Sequence, residues 1–99
     1  MTSKERAALR AKANNIQPLF QVGKGGISDA LIKQTDDALT ARELIKLKVL
    51  LETSPEKPRE IAEKLAKSTS SECVAVIGGS MIFYRYNPEL HKDEKKGRR

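Results

Sequence analysis

The chain has 99 residues, of which 38% are hydrophobic and 32% charged, and its net charge is +6. This length allows one modest hydrophobic core, and no apolar run is long enough to span a membrane. A single cysteine, Cys73, excludes an internal disulfide, and the N-terminal residues lack the apolar region of a signal peptide, so we expect a cytoplasmic protein.

The positive charge is concentrated toward the two ends of the sequence. Residues 1–24 sum to +4 and residues 91–99 to +3, whereas the residues between them sum to −1. A basic balance of this kind favours a polyanionic partner, either nucleic acid or an anionic membrane.

The first predicted helix covers residues 3–15, where alanines give high helix propensity and Ser3 can act as the N-cap. Arg6 and Arg10 stand four residues apart on this helix, so their like charges repel each other weakly. Such a pair is commonly solvent-exposed surface, but it also suits a phosphate backbone.

A short strand, residues 19–22, follows Pro18 and leads into the loop Gly23-Lys24-Gly25-Gly26. Glycines let the backbone take positive φ and let another molecule come close. Ser28 is a strong N-cap for the next helix, whose free N–H groups would then lie beside the loop, as in phosphate-binding sites. The alternative interpretation is a tight strand-to-helix turn without a ligand.

The next two helices and the strand between them follow from hydrophobic periodicity. A second helix is predicted over residues 29–40, and a half-buried strand over residues 43–51, in which apolar residues alternate with Lys46 and Lys48. After a polar loop, Pro58 opens a third helix, because proline is favoured in the first helical turn.

The last strands form a hairpin in this interpretation. Residues 73–77 are almost entirely apolar, which predicts a central strand, and the glycines at 78 and 79 predict the turn into a final strand over residues 81–86. From His91 onward the sequence has no apolar content, which predicts disorder.

The element order α-β-α-β-α-β-β predicts an α/β domain over residues 1–88 with a four-stranded mixed sheet. Each helix has a single apolar face, so we expect the helices to pack mainly on one face of the sheet. Lys46 and Lys48 would then be exposed on the other face. Residues 89–99 are expected to form a basic disordered tail.

No catalytic, metal-binding or cofactor-binding pattern is recognisable in the sequence. His91 and Cys73 are the only residues of their types, so we expect neither a nucleophile–base pair nor a zinc site. The glycine loop lacks the Lys-Ser/Thr pair of a Walker A motif and the spacing of dinucleotide folds. We therefore expect no enzyme activity, no cofactor and no small-molecule substrate.

Three segments together resemble the CRM domain, named for chloroplast RNA splicing and ribosome maturation, whose bacterial single-domain members are the YhbY-like proteins. The resemblance covers about residues 3–86. The segments are Pro18…Val22-Gly23-Lys24-Gly25-Gly26-Ile27-Ser28, Glu43-Leu44-Ile45-Lys46-Leu47-Lys48, and Val76-Ile77-Gly78…Phe83-Tyr84-Arg85.

The resemblance implies a fold similar to the C-terminal domain of bacterial translation initiation factor three, and binding to RNA in precursors of the large ribosomal subunit. In the family, a Gly-x-x-Gly loop contacts the RNA, and basic residues of the sheet and first helix support it. The candidate RNA-binding residues are therefore Gly23, Lys24, Gly25, Gly26, Arg6, Arg10, Lys12, Lys46, Lys48 and Arg85.

KH domains also carry a Gly-x-x-Gly loop that clamps a nucleic-acid backbone. Here the loop follows a strand instead of a helix. The two loops can therefore contact a nucleic-acid backbone in a similar way although the folds differ. Because aromatic residues are scarce, we expect base stacking to contribute little to RNA binding. This suggests recognition of structured RNA by shape.

The favoured hypothesis is a monomeric cytoplasmic RNA-binding protein that assists assembly of the large ribosomal subunit. The alternative is a protein-interaction module whose basic ends serve solubility only. An anionic-membrane binder is disfavoured, because the first helix has too narrow an apolar face.

Overall fold

Helices and strands alternate in the predicted order in the computed structural model, which describes residues 1–23, 25–50 and 56–91. The described part contains three α-helices, four strands and a terminal 3-10 helix. They are α1 (Ser3–Ala13), β1 (Gln21–Val22), α2 (Asp29–Arg42), β2 (Leu44–Val49), α3 (Pro58–Thr69), β3 (Glu72–Ile77), β4 (Ser80–Tyr84) and the 3-10 helix Pro88–His91.

The helix starts follow from local sequence, with one correction. The N-cap of α1 is Thr2 and not Ser3: the Thr2 hydroxyl accepts the Glu5 N–H at 3.1 Å, while a Glu5 carboxylate oxygen accepts the Thr2 N–H at 3.2 Å. The predicted cap of α2 is confirmed, since the Ser28 hydroxyl accepts the Leu31 N–H at 3.1 Å. Pro58 opens α3 as predicted.

The strands form one mixed sheet in the order β1-β2-β4-β3, with β1 parallel to β2 and the other neighbours antiparallel. The prediction of a central position for β3 is therefore wrong, because β3 is an edge strand. Its apolar sequence has another cause: helices cover both of its faces. Cys73 and Val76 pack into the core under α2 and α3, whereas Val74 and Ala75 pack on the α1 side.

Two of the three helices share one face of the sheet, which agrees with the prediction of helices mainly on one face. The main core lies there, and Ile45, Leu47, Ile61 and Leu65 are completely buried in it. Helix α1 lies on the opposite face over a second, smaller core. That core consists of Ala13, Val74 and Ile82, with Leu9, Leu44, Ala75 and Tyr84 around it.

One end of the sheet gathers the glycines, and we call it the glycine end. It comprises Gly23, Gly25 and Gly26 of the glycine loop, Leu50, and the hairpin turn at Gly78 and Gly79. The Leu50 N–H donates to the Val22 carbonyl at 2.8 Å, and the Val49 N–H donates to the Gly79 carbonyl at 2.6 Å. Both turns therefore flank the last residues of β2.

The opposite end of the sheet, which we call the clasp end, holds the 3-10 helix Pro88–His91. His91 Nε2 lies 2.8 Å from a Glu43 carboxylate oxygen, and its ring stacks on Tyr86 with centroids 4.9 Å apart. The ordered chain thus extends to His91, past the domain boundary predicted at residue 88, because these contacts anchor it. The predicted disorder of residues 92–99 lies outside the described residues.

Candidate nucleic-acid interface

The glycine loop is a short turn between β1 and the capped N-terminus of α2. The Gly26 N–H donates to the Gly23 carbonyl at 3.0 Å, and Gly26 has a φ of 60°, a conformation that disfavours other residues. Lys24, the candidate cation of the loop, lies outside the described residues. The local fold therefore requires glycine at position 26 for conformational reasons.

Gly25 differs from Gly26 in its surroundings. It is exposed, and a Cβ atom added to it would meet no protein atom within 4 Å. Packing inside the protein therefore does not demand a glycine at position 25. The bare backbone at this position is open to a molecule approaching from solvent.

Helices α2 and α3 both begin at the glycine end. The C-terminal Thr69 of α3 lies at the clasp end, where its carbonyl accepts a hydrogen bond from Arg85 at 2.7 Å. A helix of 12 residues is about 18 Å long, so the start of α3 lies far from Arg85, toward the glycine end. The positive ends of two helix dipoles therefore point toward the glycine end, which favours anions there.

Two basic residues at the start of α3 were missed by the sequence analysis. Lys57 is the N-cap and makes no side-chain capping hydrogen bond, and Arg59 is an exposed residue of the first turn. Cations are disfavoured at a helix N-terminus, and the acidic Glu60 in the same turn of α3 offsets them in part. The signal for them was present in the sequence, since Pro58 marks the helix start between two positive charges.

Lys48 is exposed on the side of the sheet that α1 covers only in part. Its register partners are Gln21 on β1 and Ser80 on β4, and Ser80 pairs with Ile77 on β3. No hydrogen bond or ion pair of the Lys48 ammonium is found within the described ranges. The prediction that Lys48 is exposed is confirmed, and its charge is available to a ligand.

Arg10 and Lys12 lie on opposite flanks of α1, because two residues along a helix correspond to a rotation of about 200°. Lys12 is near enough to Glu43 to help lower the pKa of that carboxyl, so its flank faces the clasp end. The flank of Arg10 consequently faces the glycine end. Both side chains are exposed.

Arg6 and Lys46 are engaged inside the protein. Arg6 donates to the carbonyls of Cys73 and Val74 at 2.7 and 3.0 Å, where a bulge interrupts β3. Lys46 is half-buried, contrary to the expectation that it is exposed, because its ammonium reaches the Ala13 carbonyl at 3.4 Å. Both residues join α1 to the sheet.

Arg85 joins β4 to both helices of the other face. Its guanidinium donates to the Asp36 carboxylate at 2.5 Å and to the Thr69 carbonyl at 2.7 Å. It also donates to the Asp36 carbonyl at 2.9 Å and to the Thr40 hydroxyl at 2.8 Å. With its donors used in this way and its side chain 23% exposed, Arg85 is positioned to hold the fold together.

The sequence matches the CRS1/YhbY (CRM) domain family over residues 1–85. The chain belongs to this family.

Relatives of this CRM domain are found in bacteria and archaea. It is 44% identical to the probable RNA-binding protein YqeI of Bacillus subtilis, an alignment that covers 90% of this chain and 92% of the relative. It is 43% identical to the probable RNA-binding protein MJ0652 of Methanocaldococcus jannaschii, over 86% of this chain and 63% of the relative.

A solved structure confirms the fold of the CRM domain. The solution structure of the hypothetical protein SAV1595 from Staphylococcus aureus superposes with a TM-score of 0.74 at 48% sequence identity. The match covers 88% of this chain and 90% of that protein.

Two titratable groups toward the clasp end have shifted pKa values. Burial raises the pKa of Glu43, but the hydrogen bond from the Asn87 N–H and the contact with His91 outweigh it, so the pKa lies below its ordinary value. Burial also raises the pKa of the Cys73 thiol, in spite of nearby Arg6 and Arg59. The thiol is therefore poorly suited to act as a nucleophile.

The same described ranges contain neither a metal site nor a membrane-spanning helix. No group of histidine, cysteine, aspartate and glutamate side chains there is arranged to hold a metal ion. None of the described helices is long and apolar enough to cross a membrane. A cleft at the clasp end is lined by Glu5 and Glu72 together with Tyr84 and Tyr86, and its two carboxylates are unfavourable to a phosphate backbone.

Proposed function

We propose that this CRM domain binds RNA through its glycine end. The observation that carries the proposal is that exposed cations lie at the same end of the sheet as two helix N-termini and an open glycine loop. The RNA-binding names of the relatives support the same conclusion, and none of the names describes an enzyme. A binding role without catalysis is therefore proposed.

The proposed contact set differs from the predicted one. It keeps Gly23, Lys24, Gly25 and Gly26 as the backbone clamp, with Arg10 and Lys48 as flanking cations, and adds Lys57. Arg59 is not added, because its charge acts on Cys73. Arg6, Lys46 and Arg85 leave the set because their donors serve intramolecular hydrogen bonds. Lys12 leaves it because it lies on the flank of α1 that faces Glu43.

The proposed RNA is ribosomal, in the precursor of the large subunit, and the protein acts on it as a cytoplasmic monomer during assembly. This part of the proposal follows the family resemblance. Its test is the sedimentation of the protein in a lysate gradient: it should migrate with particles of the large subunit or its precursors. A protein found only at the top of the gradient at low salt would argue against ribosomal RNA.

The binding surface is tested by paired lysine variants. Lys24→Ala and Lys48→Ala should each remove about one phosphate contact, lowering the slope of log affinity against log salt by about 0.7–0.9. Lys67→Ala, which removes an exposed lysine from the last turn of α3, is the matched control and should leave affinity and slope unchanged. All three variants should melt like the parent protein.

The alternative, a protein-interaction module, makes a different prediction for the same variants. If the basic groups serve solubility only, Lys48→Ala and Lys67→Ala should behave alike in RNA binding. An unchanged salt slope for both glycine-end variants would refute the proposed interface.

A further inference from the structure

Two large apolar side chains are exposed at the glycine end. Ile77 is 52% exposed and Leu50 is 36% exposed. Exposed apolar side chains beside a polar binding site commonly belong to that site. Their position relative to the glycine loop decides what they can contact.

The register of the sheet places Ile77 in a row of side chains across all four strands. The row runs Gln21, Lys48, Ser80, Ile77, each residue paired with the next. Neighbouring strands lie about 4.8 Å apart, so the row is about 14 Å long. Leu50 is two residues beyond Lys48, so strand alternation puts it on the same side of the sheet and nearer the end.

Helix α1 does not cover this row. The next row toward the clasp end contains Lys46, Ile82 and Ala75, and its residues are packed against or bonded to α1. In the outer row, by contrast, Gln21, Lys48 and Ile77 are all exposed. We call Gln21, Lys48, Ser80, Ile77 and Leu50 the open platform.

The open platform combines groups that suit unpaired nucleotides. Ile77 and Leu50 offer apolar surface to the face of a base, while Gln21 and Ser80 offer donors and acceptors to its edge. Lys48 supplies a positive charge between them, and the glycine loop lies beside the β1 end of the row. A four-stranded sheet can present two or three bases in this way.

We infer that the open platform receives the bases of unpaired RNA nucleotides whose backbone is held by the glycine loop. The inference rests on the proposed function and specifies its substrate class. Base faces are buried in a duplex, so paired RNA cannot use Ile77 or Leu50. The platform therefore favours loops, bulges or single strands, in contrast to recognition of structured RNA by shape alone.

The test compares a single-stranded RNA of mixed sequence with a blunt duplex that contains the same strand, at one salt concentration. The parent protein should bind the single strand more tightly. Ile77→Ser should weaken single-strand binding about fivefold, because contact with half an isoleucine side chain is lost, and should leave duplex binding unchanged. The change is uncharged, so the salt slope should stay the same.

Leu90→Ser is the matched control, since Leu90 is 46% exposed and lies in the 3-10 helix at the clasp end. It should leave the affinities for the single strand and for the duplex unchanged. Leu50→Ser is the second platform variant, used if Ile77→Ser melts below the binding temperature, and should weaken single-strand binding about threefold.

The outcomes separate the two claims. Three results would contradict the assignment of bases to the open platform. The platform variants could weaken the binding of single strand and duplex equally, or they could weaken neither. The parent protein could also bind the duplex more tightly than the single strand. The proposed function would survive these results if Lys48→Ala still lowered the salt slope. Absence of binding to both RNAs would contradict the proposed function itself.

Discussion

The two ends of the sheet treat positive charge in opposite ways. At the clasp end, Arg85 donates four hydrogen bonds to α2 and α3, and His91 lies against Glu43. At the glycine end, Lys48 and Lys57 are exposed, and within the described ranges no ion pair includes them. Similar residue types therefore stabilise the fold at one end and remain available to a polyanion at the other.

The comparison explains why charge alone does not identify a binding residue. A guanidinium whose donors are satisfied by carbonyls and a carboxylate would have to lose those bonds before it could bind a phosphate. An exposed ammonium without partners loses only water. Mutations of basic residues at the clasp end should therefore change stability, whereas mutations of basic residues at the glycine end should change binding.

The largest expected effect is that of Arg85→Ala. It removes four hydrogen bonds and leaves the partly covered Asp36 and Thr69 acceptors without their donor, so the free energy of unfolding should fall by about 2–4 kcal/mol. Denaturant unfolding measures this loss. RNA affinity, measured well below the melting temperature, should be unchanged. A variant that keeps its stability but binds RNA more weakly would contradict the structural role of Arg85.

Gly26→Ala should have the next largest effect on stability. A φ of 60° is disfavoured for alanine, so the variant should lose about 1 kcal/mol. Gly78→Ala is the matched control, because Gly78 has a φ of 58° and open space around its Cβ position. We expect a similar loss of stability in both variants. A loss of RNA affinity that occurs only in Gly26→Ala can then be attributed to the glycine loop.

The contacts of Glu43 with Asn87 and His91, which we call the clasp, should make stability sensitive to acid. Because the pKa of Glu43 is lowered in the folded protein, its ionised form stabilises the fold above the unfolded pKa. That contribution is lost as the pH falls through the folded pKa, below about pH 4.5. Glu43→Gln should lower the melting temperature at neutral pH and flatten its decline in acid.

Glu63→Gln, which replaces an exposed carboxylate on α3, is the control for Glu43→Gln. Its melting temperature should follow the acid profile of the parent protein. If Glu43→Gln showed the same acid profile as the parent, the clasp would not depend on the charge of Glu43.

The smallest stability effect is expected from deletion of residues 92–99. This segment carries a net charge of +3 and no apolar residue, so it should add non-specific attraction to any RNA. Its removal should weaken different RNAs by a similar factor and leave the melting transition cooperative. Selective loss of one RNA would place sequence recognition in this segment.

Features set by a few neighbouring residues were predictable from the sequence. Ser28, Pro58 and the hairpin at Gly78 act through local backbone chemistry, and each lies where it was predicted. The element order followed from hydrophobic periodicity in the same way.

Features set by distant partners were not predictable. Arg6, Lys46 and Arg85 bind groups 67, 33 and 16 residues away, and no local pattern distinguishes them from free cations. The edge position of β3 and the placement of α1 on the second face likewise depend on which strands pair. Of the candidate site, the glycine loop and Lys48 could be proposed from sequence, whereas their separation from the clasp end required the fold.

The most direct test of the phosphate clamp compares Gly25→Asp with Gly25→Asn. Both side chains have nearly the same shape and tolerate turn conformations, and both enter open space, so they should melt alike. They differ in charge. If residues 23–26 hold an RNA phosphate, Gly25→Asp should bind RNA about tenfold more weakly than Gly25→Asn at low salt, with the difference shrinking as salt rises. Equal RNA affinity of the two variants at low salt would contradict the phosphate clamp.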